Sequence, residues 1–278
     1  MQREITQEMA KDRLPRREAD ANKGSFGSVL AAAGSMAYRG AAALCTEGAL
    51  RAGAGLVYLA SVEPVVQMVL TRTPECCACG CRTAANGGIH PQDAGALRSW
   101  FDGKNTVLLA GPGLGESAAP VCNALLGKKA PWSAAVLDAD ALNALAAGKI
   151  KGPLPDQTVI TPHPGEAAAR RLAGMYHCIA VLKGRGTLIA TPGGEVYHNP
   201  TGSAGLAKGG SGDILAGLLS GLLAAGLKQG RTAEDAAIAA VWLHGAAGDR
   251  CAKRLGMAAM LPHDIFADLG AIFAELER

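Results

Sequence analysis

Short clusters of glycine, carboxylate, lysine and histidine hold the residues of this 278-residue chain that are able to do chemistry. The strongest is Ala207-Lys208-Gly209-Gly210-Ser211-Gly212-Asp213, which opens a long apolar stretch. Successive glycines let backbone N–H groups converge on an anion, and a helix N-terminus adds partial positive charge. Asp213, in the first helical turn, either complements the macrodipole or takes a proton from a hydroxyl that attacks phosphorus. The lysine precedes the glycines and no G-K-[ST] closes them, which excludes a Walker P-loop. Gly111-Pro112-Gly113-Leu114-Gly115 matches the dinucleotide fingerprint only in part, because it lies mid-chain and lacks the third glycine.

Four more clusters add candidates: Gly34-Ser35, Asp138-Ala139-Asp140, Thr161-Pro162-His163-Pro164-Gly165-Glu166 and Lys183-Gly184-Arg185-Gly186-Thr187. Each has a plainer reading. His163 is a loop histidine between prolines, Glu166 a first-turn helix acid, and Asp138 and Asp140 are caps for a following helix. His244, inside an Ala-rich helix, reads as a buried, hydrogen-bonded residue. Trp100, Trp132 and Trp242 read as packing residues. His90, His177, His198 and His263 lack partners at ligand spacing and receive no role.

These clusters gain weight from the elements that must position them. Apolar strands are predicted at Val29–Ala33, Leu56–Ala60, Thr106–Ala110, Ala134–Leu137, Thr158–Ile160 and Ile179–Leu182. Helices are predicted at Ala41–Ala52, Pro64–Leu70, Pro91–Phe101, Ser117–Leu126 and, in the last third, Asp213–Ala225, Ala233–Arg254 and Pro262–Leu276. Thr187–Ala190 and Glu195–His198, around Pro192-Gly193-Gly194, form a predicted hairpin. Strand–helix alternation predicts an α/β protein with a mainly parallel sheet covered on both faces. Gly111 to Gly115 and the four clusters named after it then each follow a strand, where open α/β sheets bind ligands.

Composition agrees. The chain is 49% hydrophobic but only 4% aromatic, with 37 glycines, so its core must be built from Ala, Val, Ile, Leu and Gly. Small residues let helices lie close on a sheet, and the aromatic poverty predicts a bound ring held by backbone and polar contacts rather than by stacking. Lys and Arg number 27 against 24 Asp and Glu, with no basic block, which argues against nucleic acid. The charged start has no signal-peptide core, and the apolar run Ile214–Leu227 is short for a membrane span, so a cytoplasmic protein is expected. Cys76, Cys77, Cys79 and Cys81 lack zinc-ribbon spacing and read as a surface loop of reduced thiols. Cys45, Cys122, Cys178 and Cys251 read as buried small hydrophobes.

Taken in order, Lys23-Gly24-Ser25-Phe26-Gly27, Ala110 to Gly115, Leu137-Asp138-Ala139-Asp140-Ala141-Leu142-Asn143, Thr161 to Glu166, Val181-Leu182-Lys183-Gly184, and Asn199-Pro200-Thr201-Gly202 with Gly209 to Asp213 resemble the ADP-dependent NAD(P)H-hydrate dehydratases of the ribokinase-like superfamily. The resemblance runs from about residue 23 to the C-terminus. It implies one ribokinase-like three-layer α/β/α domain over residues 23–278, preceded by a polar extension over residues 1–22. The implied reaction dehydrates the S epimer of hydrated NADH or NADPH back to the working cofactor, with ADP giving AMP and phosphate.

Carried over, the resemblance makes Asp213 the base at the hydrate hydroxyl and Gly210 and Gly212 the anion hole, with Gly212 also touching AMP. Lys183, Gly184, Arg185, Gly186 and Thr187 would hold the nucleotide. Ala41, Gly113, Gly115 and His163 would line the hydrate site with Asp213, and Glu166 would organise Mg²⁺ through water. Relatives usually carry an acid at the place of Ser25, and many begin with an epimerase domain. The residues before Lys23 leave no room for one, so dependence on a separate epimerase is expected. Small-residue helix faces and the resemblance together predict a homo-oligomer of tetramer size or larger.

Three rivals compete. A hydroxyethylthiazole or hydroxymethylpyrimidine kinase of the same superfamily would share the glycine-rich helix start. A non-catalytic nucleotide sensor would not need Asp213 and Glu166. A dinucleotide oxidoreductase rests on Gly111 to Gly115 alone.

Overall fold

A computed structural model of the chain describes residues 2–101, 104–127, 129–162 and 166–278, apart from the side chains of 166–169. The first half runs β1 (Gln2–Glu4), α1 (Gln7–Asp12), β2 (Ser28–Ala32), α2 (Arg39–Arg51), β3 (Leu56–Val62), α3 (Glu63–Arg72), β4 (Cys77–Cys81), α4 (Pro91–Trp100), β5 (Thr106–Ala110), α5 (Ala118–Leu125), β6 (Ala134–Leu137) and α6 (Ala139–Ala146). The second half runs β7 (Thr158–Ile160), α7 (Glu166–Tyr176), β8 (Ile179–Leu182), β9 (Leu188–Ala190), β10 (Val196–His198), α8 (Ser211–Leu227), α9 (Ala233–Leu255) and α10 (Ile265–Leu276).

The strands form one sheet in the order β1-β10-β9-β8-β7-β6-β5-β2-β3-β4. All pairings are parallel except those of β9 with β8 and β10. Consecutive strand residues serve opposite cores, as a period of two requires. Val29, Ala31, Val107 and Leu109 face one core with α2, α3, α8, α9 and α10, whereas Leu30, Ala32, Leu108 and Ala110 face the other with α4, α5 and α6. The result is the expected three-layer α/β/α arrangement.

Small residues set the spacing on the first face. A Cβ at Gly217 or Gly221 would collide with the Cys45 or Ala49 carbonyl, so α2 and α8 touch through their backbones. Part of the glycine excess is therefore packing.

Three sequence expectations need correction. Cys77 to Cys81 is not a loop but the edge strand β4, paired with β3, and Cys76, Cys79 and Cys81 are buried. Alanine and glycine, which alternate with the cysteines of β4, are weak strand formers, so pairing with β3 decides the outcome. Trp100 does not pack: it is 60% exposed, whereas Trp132 and Trp242 are buried. The polar N-terminal segment contributes β1, parallel to β10, and α1, and it buries Ile5 and Ala10. Cys45, Cys122, Cys178 and Cys251 are buried as expected, and all eight cysteines are free. No helix of the described residues is long and apolar enough to cross a membrane.

Candidate active site

Five adjacent parallel strands, β8-β7-β6-β5-β2, end on one edge of the sheet. Lys183, Thr161, Asp138, Gly111 and Gly34 follow them, so clusters scattered over some 150 residues meet on one rim, at the C-terminal ends of the strands.

Gly111 closes the β5 end tightly. Its φ is +127°, and a Cβ there would run into the Asp138 carbonyl, so only glycine fits. Ala139, directly after Asp138, also has positive φ (47°), a strained conformation for a residue with a side chain. This backbone turns the Asp138 carboxylate away from capping. Asp138 stands at the N-cap of α6 but makes no side-chain cap bond. Its Oδ1 instead accepts from the Thr161 hydroxyl and from Lys183 Nζ at 2.6 Å. Asp140 likewise reaches outward, accepting the Gly115 N–H at 2.8 Å. The plain capping reading of these two acids is thus replaced by a network that ties the β5, β6, β7 and β8 ends together.

The glycine-rich run delivers α8 to this network. Gly210 is the N-cap, with φ +102°, and a Cβ there would lie 2.5 Å from Leu44 Cδ1 on α2. A Cβ at Gly212 would stand 3.3 Å from Lys183 Nζ and 3.9 Å from Asp138 Oδ2. The ammonium therefore faces the helix N-terminus, where free N–H groups and the dipole already favour an anion. Lys208 faces elsewhere, since its Nζ donates to the Ala258 and Met260 carbonyls at 2.7 and 2.5 Å.

Asp213 sits half-buried in the first turn of α8. Burial pushes its carboxyl up to about 6, the negative Asp138 and Asp140 add to this, and Lys183 opposes it. A carboxylate that ionises near neutrality is suited to accept a proton. His244 on α9 lies behind the turn, with Nε2 3.3 Å from Ser211 Oγ, and burial lowers its pKa to about 4. It is a neutral, hydrogen-bonded residue, as expected from sequence.

The remaining predicted residues divide by place. Gly184 and Arg185 are exposed beside Lys183, and Thr187 donates to the Gly184 carbonyl at 3.0 Å, closing the loop after β8. Gly186 has φ +71° and abuts His198. Gly113 packs on Tyr38 and Ala41 at the start of α2, next to Gly115, so the three expected hydrate-site residues are neighbours. His163 lies outside the described residues, as does the side chain of Glu166. No group of three or more His, Cys, Asp or Glu among the described residues can by itself hold a metal.

Sequence reasoning missed the Asp138–Lys183 pair, 45 residues apart, whose only signal is that both follow strands. It also missed Cys45, which lies among the groups of the site: burial raises its thiol pKa, and Asp213 and Asp138 raise it further. A separate groove of about 430 Å³, lined by Glu47, Arg51, Arg72, Arg254 and Phe266 among others, contains none of the rim residues.

Comparison with known proteins agrees with this geometry. The NAD(P)H-hydrate dehydratase family matches residues 29–270. The bifunctional NAD(P)H-hydrate repair enzyme of Moorella thermoacetica is 38% identical over 99% of this chain and 54% of its own length. The chain thus spans about half the length of that curated relative. The ADP-dependent (S)-NAD(P)H-hydrate dehydratase of Bacillus subtilis is 30% identical over 98% of both chains. A crystal structure of the ADP/ATP-dependent NAD(P)H-hydrate dehydratase from B. subtilis, co-crystallized with ATP/Mg²⁺, superposes with a TM-score of 0.81, at 29% identity over 99% of both chains. The fold is ribokinase-like, and the chain belongs to the NAD(P)H-hydrate dehydratase family.

Proposed function

We propose that this chain dehydrates the S epimer of hydrated NADH or NADPH, with ADP as phosphoryl donor and AMP and phosphate as products. The observation that carries this reading is Asp213: a carboxyl with pKa near 6, in the first turn of a glycine-fronted helix, beside Lys183. Hydroxide is a poor leaving group and phosphate a good one. Asp213 takes the proton of the C6 hydroxyl as its oxygen attacks the β-phosphorus of ADP, and the bond to AMP breaks. The C6–O bond of the phosphate ester then breaks with loss of a C5 proton, leaving NAD(P)H and inorganic phosphate. Gly210 and Gly212 supply N–H groups to the moving phosphoryl oxygens. Lys183 neutralises them, and the loop Gly184–Thr187 holds the nucleotide. Ala41, Gly113, Gly115 and His163 line the hydrate side.

Mg²⁺ fits the donors. The rim offers carboxylate oxygens, the nearby Cys45 thiol is buried with its pKa raised, and among the described residues the hydrogen bonds of the Asp138 carboxylate fall on Oδ1 and not on Oδ2. Without a protein-only cage, the ion would be held by nucleotide phosphates and waters, with Glu166 ordering a water. When bound, it neutralises phosphate charge.

A homo-oligomer is supported by Leu255, Met257 and Leu261, large apolar side chains exposed around the end of α9. Eight free cysteines support a reducing compartment such as the cytoplasm. Epimerisation of the hydrate would supply the S epimer. Incubation with ADP and hydrated NADH should restore the absorbance of reduced nicotinamide, and Asp213→Asn should abolish this while still binding ADP. Turnover of ATP on a vitamin alcohol, with no recovery of NADH, would assign a kinase instead.

A further inference from the structure

Tyr38 stands at the mouth of the hydrate side with its ring in the open. It is 58% exposed, and its hydroxyl has no hydrogen bond among the described residues. The backbone beneath it is fixed. Its N–H donates to the Ser35 carbonyl at 3.1 Å, and the Met36 N–H donates to Gly87 at 2.9 Å. Arg39 Nε closes the turn onto the Met36 carbonyl at 3.3 Å.

The ring lies along the glycine crook after β5. A Cβ at Gly113 would stand 2.9 Å from Tyr38 Cβ and 3.0 Å from Ala41 Cβ, and one at Gly115 would stand 3.9 Å from Tyr38 Cε2. Missing side chains therefore leave the ring flanked by bare backbone. Met36, 42% exposed, extends the apolar surface. Further along α2, Leu44 touches Gly210 at the phosphate end. It lies six positions beyond Tyr38, the N-cap of α2, about 9 Å at the helical rise. An exposed aromatic ring thus stands at the N-cap of the same helix whose second turn touches the glycine-rich start of α8.

We propose that Tyr38 is a stacking platform for a planar ring of the dinucleotide substrate, and so a specificity residue for it. The proposal rests on the dehydratase reading for the substrate's identity, and it departs from the expectation that an aromatic-poor chain would hold its ring by backbone and polar contacts rather than by stacking. The face of an aromatic ring and the face of a heterocycle attract whichever base is presented. The adenine end of the substrate presents such a face whole, whereas the hydrated nicotinamide ring, saturated from C4 to C6, regains its flatness only as the C5–C6 double bond forms.

The test compares wild type, Tyr38→Ala and Tyr38→Phe on hydrated NADPH and on hydrated reduced nicotinamide mononucleotide, with direct binding of NADPH followed by its fluorescence. Tyr38→Ala should raise KM for the hydrate roughly five- to hundredfold, the range of one lost base stack. It should leave kcat and the KM for ADP nearly unchanged, and Tyr38→Phe should restore the wild-type KM. A rise on both substrates assigns the nicotinamide end, and a rise on the dinucleotide alone assigns adenine. Unchanged KM and NADPH affinity in Tyr38→Ala overturns the proposal, as does a change of oligomeric state with KM unaltered. A wild type that binds NADPH without dehydrating its hydrate would sink the dehydratase reading, and the loss of NADPH binding in Tyr38→Ala would still decide this one.

Discussion

Lys183 donates to Asp138 across 2.6 Å, and both groups lie against Gly212 at the start of α8. The pair is largely withdrawn from water, the Asp138 side chain being 2% exposed and that of Lys183 15%. Its place at a helix N-terminus makes it the electrostatic centre of the rim.

Removing the lysine should therefore harm folding and binding together. Lys183→Met leaves a buried carboxylate without its counter-charge, a loss of about 3–5 kcal/mol. The double variant Asp138→Asn, Lys183→Met should regain most of that stability in urea unfolding and still bind ADP poorly by calorimetry. Recovery of ADP affinity in the double variant would show that the ammonium is structural only.

Asp213 couples activity and stability to pH in opposite senses. Its carboxyl ionises near 6 in the folded chain, above the usual value of 3.8. The folded state thus holds its proton to higher pH than the unfolded chain, and the Asp213 contribution to stability falls as pH rises from about 4 to 6. Asp213→Asn should be more stable than wild type at pH 8, by up to about 3 kcal/mol, with the difference gone below about pH 4. Wild-type kcat/KM should rise through about pH 6 as the base ionises. Unfolding curves and a pH–rate profile check the two halves.

Much of this site was legible in the sequence. Thr106–Ala110, Ala134–Leu137, Thr158–Ile160 and Ile179–Leu182 are found at their predicted bounds, because short apolar runs ended by glycine, acid, Thr-Pro or lysine have few alternatives in an α/β chain. Knowing where strands end placed the rim. Contacts between distant segments stayed hidden: β1 and β4 exist through their partners β10 and β3, not through their own residues. The Asp138–Lys183 pair and the position of Tyr38 are likewise products of the assembled rim.

Glycines on the rim differ sharply in what they tolerate. Gly111→Ala meets both a positive φ and the Asp138 backbone, so it should cost more than 2 kcal/mol or abolish soluble expression. Gly184 has open space around it and ordinary φ, and Gly184→Ala should stay within about 0.5 kcal/mol of wild type. Thermal denaturation of the two variants side by side makes the comparison.

His244 shapes the acid limb of stability. Burial lowers its pKa from 6.5 to about 4, so the unfolded chain takes up a proton between those values and the folded chain does not. The His244 contribution to stability should fall as pH drops from 6.5 to 4, against the opposite contribution of Asp213, and His244→Gln should remove that loss of up to about 3 kcal/mol. The amide can still reach Ser211, whereas His244→Leu would strand the Ser211 hydroxyl. Urea midpoints of wild type and variant measured from pH 7 to 4 should diverge in favour of the variant as pH falls.

The central claim is that this rim couples phosphoryl transfer to dehydration, and the measurement that tests it most directly is nucleotide dependence with the hydrate as substrate. Purified chain, Mg²⁺, ADP and hydrated NADH should regenerate NADH with AMP and phosphate in equal amounts, and omission of the nucleotide should stop it. NADH recovered without nucleotide, or ADP consumed without NADH, would contradict the account.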